Sequence, residues 1–388
     1  MISVAAPAAL PVPAGFPPVQ DPWNNGNYGN AGSSTTAMAA DRLYFAPQFF
    51  PWPVALDALR INVTSGVGNA RVGIYRESGG LPGDLIADLG EQGISSAGVY
   101  TFDAGRLRLP AGWYYTAIVF SGAPSVTTST STAASFHGLL GTTDISTLSA
   151  QGFYASHTYG ALPATFPGSP TYGTSGVMCF GITAAPLDVL APPHAFQAPD
   201  GASTGVVTLA SFSPVYSALP HLSGRAYQSS VLRPQNSSTV SCSANTLYAI
   251  PFIVPTPTTY SGLQFRNTIA SGNARVGVYE DDNGVPGALV TDVGTSTLTG
   301  TSTKTVTAGS PFTLAPGRYW LAIVTDATVS IVSQSTTMGG NPLGLAAGTD
   351  TTTIAGVSGA HTYGALPDPF PASLTLQAST PGVAAVVS

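Results

Sequence analysis

The side chains most able to do chemistry near neutral pH are the five histidines, His137, His157, His194, His221 and His361. Of these, only His157 and His361 occupy equivalent places, in a His-Thr-Tyr-Gly-Ala-Leu-Pro string that stands at 157–163 and again at 361–367. An imidazole there has the chemistry of a metal ligand or a general base, but no carboxylate or second histidine adjoins it in sequence. The expected role is structural, with the ring bonding loop backbone in a corner rich in Gly and Pro.

The run Glu280-Asp281-Asp282-Asn283-Gly284 superficially resembles a calcium loop, which needs hard oxygen ligands at alternating positions and a distant acidic ligand. Its counterpart, Arg76-Glu77-Ser78-Gly79-Gly80, has lost most of the carboxylates, so a solvated turn is expected at both places. Asp88 and Asp292 each precede a glycine by two residues, the position from which an Asp bonds its own backbone in a turn. The sequence contains no G-x-S-x-G elbow, Walker loop, H-E-x-x-H or C-x-x-C. No catalytic, metal-binding or cofactor-binding residue is assigned, and the chain is read as a non-enzyme.

Binding requires less than catalysis, because an aromatic ring on a β-sheet surface can stack on a sugar face without any charge. Trp52, Trp113, Tyr159, Trp320 and Tyr363 are the aromatic candidates, most of them expected in the core. The candidate glycan or partner contacts are Trp52, His157, Tyr159, His361 and Tyr363.

The elements that must position these residues occur twice. Asn69-Ala70-Arg71-Val72-Gly73-Ile74-Tyr75 returns as Asn273-Ala274-Arg275-Val276-Gly277-Val278-Tyr279, an offset of 273 − 69 = 204. The same offset pairs Leu43-Tyr44 with Leu247-Tyr248, Asp88 with Asp292 and the two histidine strings, and it slips by one residue between Leu109 and Leu314. Short runs rich in Val, Ile, Tyr, Phe and Thr alternate with Gly, Pro, Asn and Ser, without a helical period. The fold class is therefore all-β: two homologous antiparallel, jelly-roll-like sandwiches in tandem, at 34–185 and 236–388. A Pro-rich arm (1–33) and a linker rich in Pro, Ala and Ser (186–235) flank the first of them.

In the strand at 69–75, Ala70, Val72 and Ile74 face one way and Arg71, Gly73 and Tyr75 the other, with one face directed to the core. Residues 113–119 and 318–324 are apolar on both faces and read as strands covered on both sides. The segment between the first two strands, 76–83, reads as a tight exposed loop.

Composition narrows the function classes. Charged residues make up 8% of the chain against roughly 25% in ordinary domains, so solubility rests on Ser, Thr, Asn and exposed backbone. The net charge is −6 and Lys304 is the only lysine, so there is no basic patch for nucleic acid or anionic lipid. Cys179 and Cys242 allow at most one bridge. The N-terminus lacks a basic region ahead of an apolar run, and its prolines oppose a helical span, so neither a signal peptide nor membrane insertion is expected.

The strings NARVGIYRESGGLPGDLIADLG, LPAGWYYTAIV and SHTYGALPATFP, with their second forms NARVGVYEDDNGVPGALVTDVG, LAPGRYWLAIV and AHTYGALPDPFP, resemble repeats in virion proteins of tailed bacteriophages. The resemblance is one of pattern and implies a structural protein on the particle exterior, made in the host cytoplasm. A fibre or appendage subunit that contributes to host attachment is the leading role, and a capsid decoration protein the alternative. It also implies other virion subunits as partners, a homo-oligomer with a trimer favoured, and a host-surface glycan as a further partner. From another class, the rival is a bacterial surface protein that binds or cleaves carbohydrate. The arm at 1–33 is expected to act as an assembly tether.

Overall fold

The structure is a computed structural model that describes residues 34–50, 53–128, 152–173, 180–186, 220–228, 233–335 and 355–388. The arm at 1–33, Trp52, Cys179 and much of 186–235 lie outside the described residues.

The fold is all-β, as expected. Its first half contains β1 (Ser34–Ala37), β2 (Arg42–Phe50), β3 (Val54–Ser65), β4 (Asn69–Ser78), β5 (Leu81–Gly93), β6 (Gly98–Leu109), β7 (Gly112–Phe120), β8 (Ser125–Thr128), β9 (Gly152–Ser156), β10 (Thr171–Gly173) and β11 (Gly181–Pro186). Its second half contains β12 (Ala226–Tyr227), β13 (Arg233–Cys242), β14 (Thr246–Val254), β15 (Thr258–Arg266), β16 (Asn273–Asp282), β17 (Val285–Thr297), β18 (Thr303–Leu314), β19 (Gly317–Thr325), β20 (Val329–Ser335), β21 (Gly356–Ala360), β22 (Thr375–Gln377), β23 (Ser379–Pro381) and β24 (Val383–Val387).

One six-stranded sheet runs β10-β9-β2-β7-β4-β5, and its counterpart runs β22-β21-β14-β19-β16-β17, so each strand answers the one at the same place in the other copy. Opposite the first lies β1-β8-β3-β11, with β6 also on β3. Opposite the second lie β12-β24-β15-β18 and β13-β20-β23. Among the described residues, every strand pairing is antiparallel and stays within 34–186 or within 226–387. No described helix is long and apolar enough to cross a membrane.

Alternation along the strands explains the packing between sheets. Val72, Ile74 and Ile118 from the six-stranded sheet meet Leu59, Ile61, Phe102 and Val126 from the opposite one. Each such aliphatic side chain contributes about 1.5–3 kcal/mol when fully buried.

The reading that only one face of β4 goes to the core is corrected by the structure. Gly73 and Tyr75 on its other face are buried too, because the segment after β9 folds back over them. The second copy shows the same layering as a separate outer cluster, in which Tyr279, Trp320 and Ala322 of the sheet pack under Leu366 and Phe370.

The β4–β5 connection is a two-residue turn, Gly79-Gly80, with both φ angles positive, and Asn283-Gly284 repeats it between β16 and β17. Such turns match the right-handed twist of the flanking strands, which is why Gly and Asn occupy them. Against the expectation of an exposed loop, Gly80 is buried, because residues 220–222 lie against it.

Candidate functional site

The repeated histidine string follows β9 in the first copy and β21 in the second, and both times it is fastened to the six-stranded sheet by the same bonds. Asp41 sits at φ 56°, a left-handed turn position, where its carbonyl accepts from the His157 amide at 3.1 Å and its carboxylate from the Tyr159 amide at 2.8 Å. Asn245, at φ 58°, does the same for His361 and Tyr363 at 3.1 and 2.8 Å. Asp and Asn tolerate that backbone region better than other non-glycine residues, because their short side chains bond locally.

Below this turn lies an ion pair. Arg71 on β4 donates from Nε to both Asp88 oxygens at 3.0 and 2.8 Å, and Arg275 on β16 donates to Asp292 at 2.9 and 2.8 Å. Asp88 also accepts from the Leu162 amide at 3.2 Å, and Asp292 from the Leu366 amide at 3.0 Å. The expected turn bond is present as well, from the Gly90 amide to Asp88 at 3.0 Å. Tyr75 and Tyr279 donate to the carbonyls of Pro163 and Pro367 at 2.8 and 2.9 Å. Leu162 then presses on Gly73 and Leu366 on Gly277, so closely that any added Cβ would overlap the leucine. This contact explains the glycine in both Ala-Arg-Val-Gly strings.

The candidate residues therefore divide. His157 bonds the Ala161 carbonyl at 3.1 Å, the backbone role read from the sequence, whereas Nε2 of His361 is buried without a partner among the described residues. Trp320 is core, and its indole donates to Asp281 at 2.8 Å. Asp281 also accepts from the Gly284 amide at 3.1 Å, so this member of the apparent calcium run holds its own turn together. Trp113 is half-buried against Phe49.

Tyr159 and Tyr363 remain half-exposed beside the ion pairs. The Tyr159 hydroxyl donates to Glu91 at 3.0 Å, and Arg71 lies 3.9 Å from the same carboxylate. Burial, followed by the bond to Glu91 and its charge, pushes the Tyr159 phenol up to about 12, so it stays a donor near neutrality. In the second copy Glu91 is replaced by Thr295, and Asp326 stands where the first copy has Ser121, each bonding the amide that opens the neighbouring strand. The outcome is a tyrosine ring, a guanidinium and carboxylates on a scaffold already ordered by backbone bonds. Sequence reasoning singled out Tyr159, Tyr363, Asp88 and Asp292 but missed Arg71 and Arg275 as their partners. The signal was the recurrence of both charges at one offset.

No protein-family model matches this chain, and no curated protein does. Among solved structures, the chain is similar to the cysteine protease and lectin-like domains of Cwp84, a surface layer associated protein of Clostridium difficile, at 13% identity and a TM-score of 0.24. That match covers 38% of this chain and 33% of the other, so the chain spans a third of that structure's length. A serum fucolectin of striped bass, Morone saxatilis, matches at 8% identity over 77% of this chain and 83% of its own, with a TM-score of 0.18. The apo lectin of Pleurotus ostreatus matches at 12% identity over 94% and 91%, with a TM-score of 0.20.

Proposed function

We propose that this chain is a non-enzymatic attachment protein that binds carbohydrate at the Arg71–Glu91–Tyr159 and Arg275–Tyr363 surfaces and is carried on the exterior of a bacteriophage particle. The observation that carries the binding half is the recurrence, in both copies, of a half-exposed tyrosine ring beside an arginine already fixed by a carboxylate. A ring supplies an apolar face for a sugar, and the charged groups beside it supply donors and acceptors for its hydroxyls. Because backbone bonds hold the scaffold, little conformational entropy remains to be lost on binding. The particle placement rests on the resemblance of the repeated strings to phage virion repeats.

A glycan array tests the binding half. The purified chain should be retained by a defined set of glycans, and Tyr159→Ala combined with Tyr363→Ala should abolish retention while the chain still melts cooperatively above the assay temperature. Equal retention by the double variant would overturn the assignment of the site, and trimming of the printed glycans would overturn the non-enzymatic reading. Mass spectrometry of purified virions tests the placement, which fails if the chain is absent from them. Antibody labelling of the head lattice rather than the tail would favour a decoration role over attachment.

A further inference from the structure

The segment 220–228 lies between the two copies in sequence and touches both in space. On the side of the second copy it is a strand: β12 pairs with β24, setting Ala226 opposite Val386 and Tyr227 opposite Ala385. The Gly224 amide donates to the Val387 carbonyl at 3.2 Å, the Val387 amide to the Arg225 carbonyl at 2.9 Å, and the Ser223 hydroxyl to the Ser388 carbonyl at 2.6 Å. His221 stacks on Tyr227 with ring centroids 3.9 Å apart and bonds the Tyr260 hydroxyl at 2.8 Å, while the Leu222 amide donates to the Tyr227 hydroxyl at 2.8 Å. Ala226, Tyr227 and Gln228 are buried.

Other atoms of the same nine residues meet the first copy. The Arg225 guanidinium sits 3.6 Å from the ring centroid of Tyr172 on β10, and Arg225 is only 4% exposed. Pro220 and Leu222 close over Gly80, where an added Cβ would come within 2.5 Å of the Pro220 carbonyl oxygen and 2.8 Å of Leu222. The Gly80 carbonyl in turn accepts from the buried Tyr115 hydroxyl at 2.5 Å, which anchors the turn to the sheet beneath. Among the described residues nothing comes within 4 Å of a Cβ added at the equivalent Gly284, so the covering of Gly80 is a feature of the junction and not of the turn.

We infer that residues 220–228 are a strap that locks the two sandwiches into one unit, with Arg225 on Tyr172 and Leu222 on Gly80 as its fastenings to the first copy. A desolvated guanidinium over an aromatic face is attractive in a way a mobile surface contact is not. The strap differs from a flexible linker in its consequence: it fixes the separation of the two tyrosine surfaces. This consequence rests on the carbohydrate reading proposed above. It predicts preference for a polymeric glycan whose repeat matches that separation, because the second contact is then intramolecular.

Small-angle scattering of the full chain tests the strap without any ligand. The wild type should scatter as one fixed body, whereas Arg225→Ala with Leu222→Ser should show a larger radius of gyration and unchanged far-UV circular dichroism. Should that variant misfold, Tyr172→Leu releases the same fastening from the other copy. Scattering from the folded released variants identical to wild type would overturn the inference. In a second arm, release should cut retention on a polymeric glycan about tenfold or more while leaving affinity for a short oligosaccharide unchanged. If the wild type binds no glycan, the carbohydrate reading fails while scattering still decides the strap.

Discussion

The two copies share a skeleton and differ at its rim. In both, an arginine on β4 or β16 grips an aspartate on the next strand, β5 or β17, and that aspartate holds the amide of a leucine in the returning loop. Only the first copy adds Glu91 within reach of the arginine and the tyrosine, and only the second puts a carboxylate, Asp326, at the place of Ser121. What recurs holds the loop to the sheet. What changes is solvent-facing and sets what each surface can bind.

The sharpest way to break this comparison is to remove the aspartates. Losing one partner of a buried pair costs about 3–5 kcal/mol. Here the side chains are a fifth to a quarter exposed, which lowers the expected cost of Asp292→Ala to about 2–3 kcal/mol. Asp88→Ala should cost about 1 kcal/mol less, because Glu91 remains near Arg71 to share its charge. Urea titration of the two variants measures both numbers, and equal losses would show that Glu91 offers no substitute.

Glycine at the foot of the loop should behave alike in both copies. Gly73→Ala and Gly277→Ala each force a methyl into the leucine above and to within 2.8 and 2.7 Å of the carbonyls of Ala87 and Thr291. Overpacking of this kind costs about 1–3 kcal/mol. Thermal melts that move for one variant and not the other would mean that the two loops are not equally tight.

Acid should separate the copies, since the described ring contacts of His221 are with Tyr227, Phe252 and Tyr260 and position 17, its counterpart by offset, is a proline. Burial among Tyr227, Phe252 and Tyr260 pushes its imidazole down to about 3. The folded state therefore keeps the ring neutral while the unfolded chain takes up a proton below its ordinary pKa. Its contribution is whole above about pH 6.5 and is lost as pH falls toward 3, amounting to about 1 kcal/mol between pH 7 and 5.5. His221→Phe should flatten that part of the stability profile, and an unchanged slope would place the acid sensitivity elsewhere.

How much of this was legible in the sequence follows from the range of each interaction. Alternation made β4 and the doubly apolar β7 readable, since period two is local, and the offset of 204 made each strand of one copy identify a strand of the other. The second buried face of β4 was hidden, because its cover comes from Leu162 and Phe166, about 90 residues downstream. Residues 220–228 read as linker from their composition, yet two of them form a strand, because their partner is the last strand of the chain. Tyr159 and Tyr363 stood out by recurrence, whereas the arginines beside them were absorbed into a strand pattern that attended only to apolar positions.

The smallest expected effect sharpens the comparison most finely. Tyr159→Phe removes a hydroxyl that donates to Glu91, while in the second copy the position equivalent to Glu91 is Thr295, which carries no charge. A phenol is protonated near neutrality, and the surroundings of both rings push them further up, so neither change alters charge. The Glu91 bond is charge-assisted but half-exposed, and such bonds contribute about 0.5–1 kcal/mol net. Tyr159→Phe should therefore destabilise the chain by that amount and Tyr363→Phe by less. A double-mutant cycle with Glu91→Thr, which imports the second copy's residue, isolates the pair from other consequences of each change. The coupling energy should match the full cost of Tyr159→Phe, leaving the Glu91→Thr background indifferent to the loss of the hydroxyl. A coupling of zero would mean that Glu91 does not hold the ring, and the first copy's surface would then be organised by Arg71 and the Asp41 turn alone.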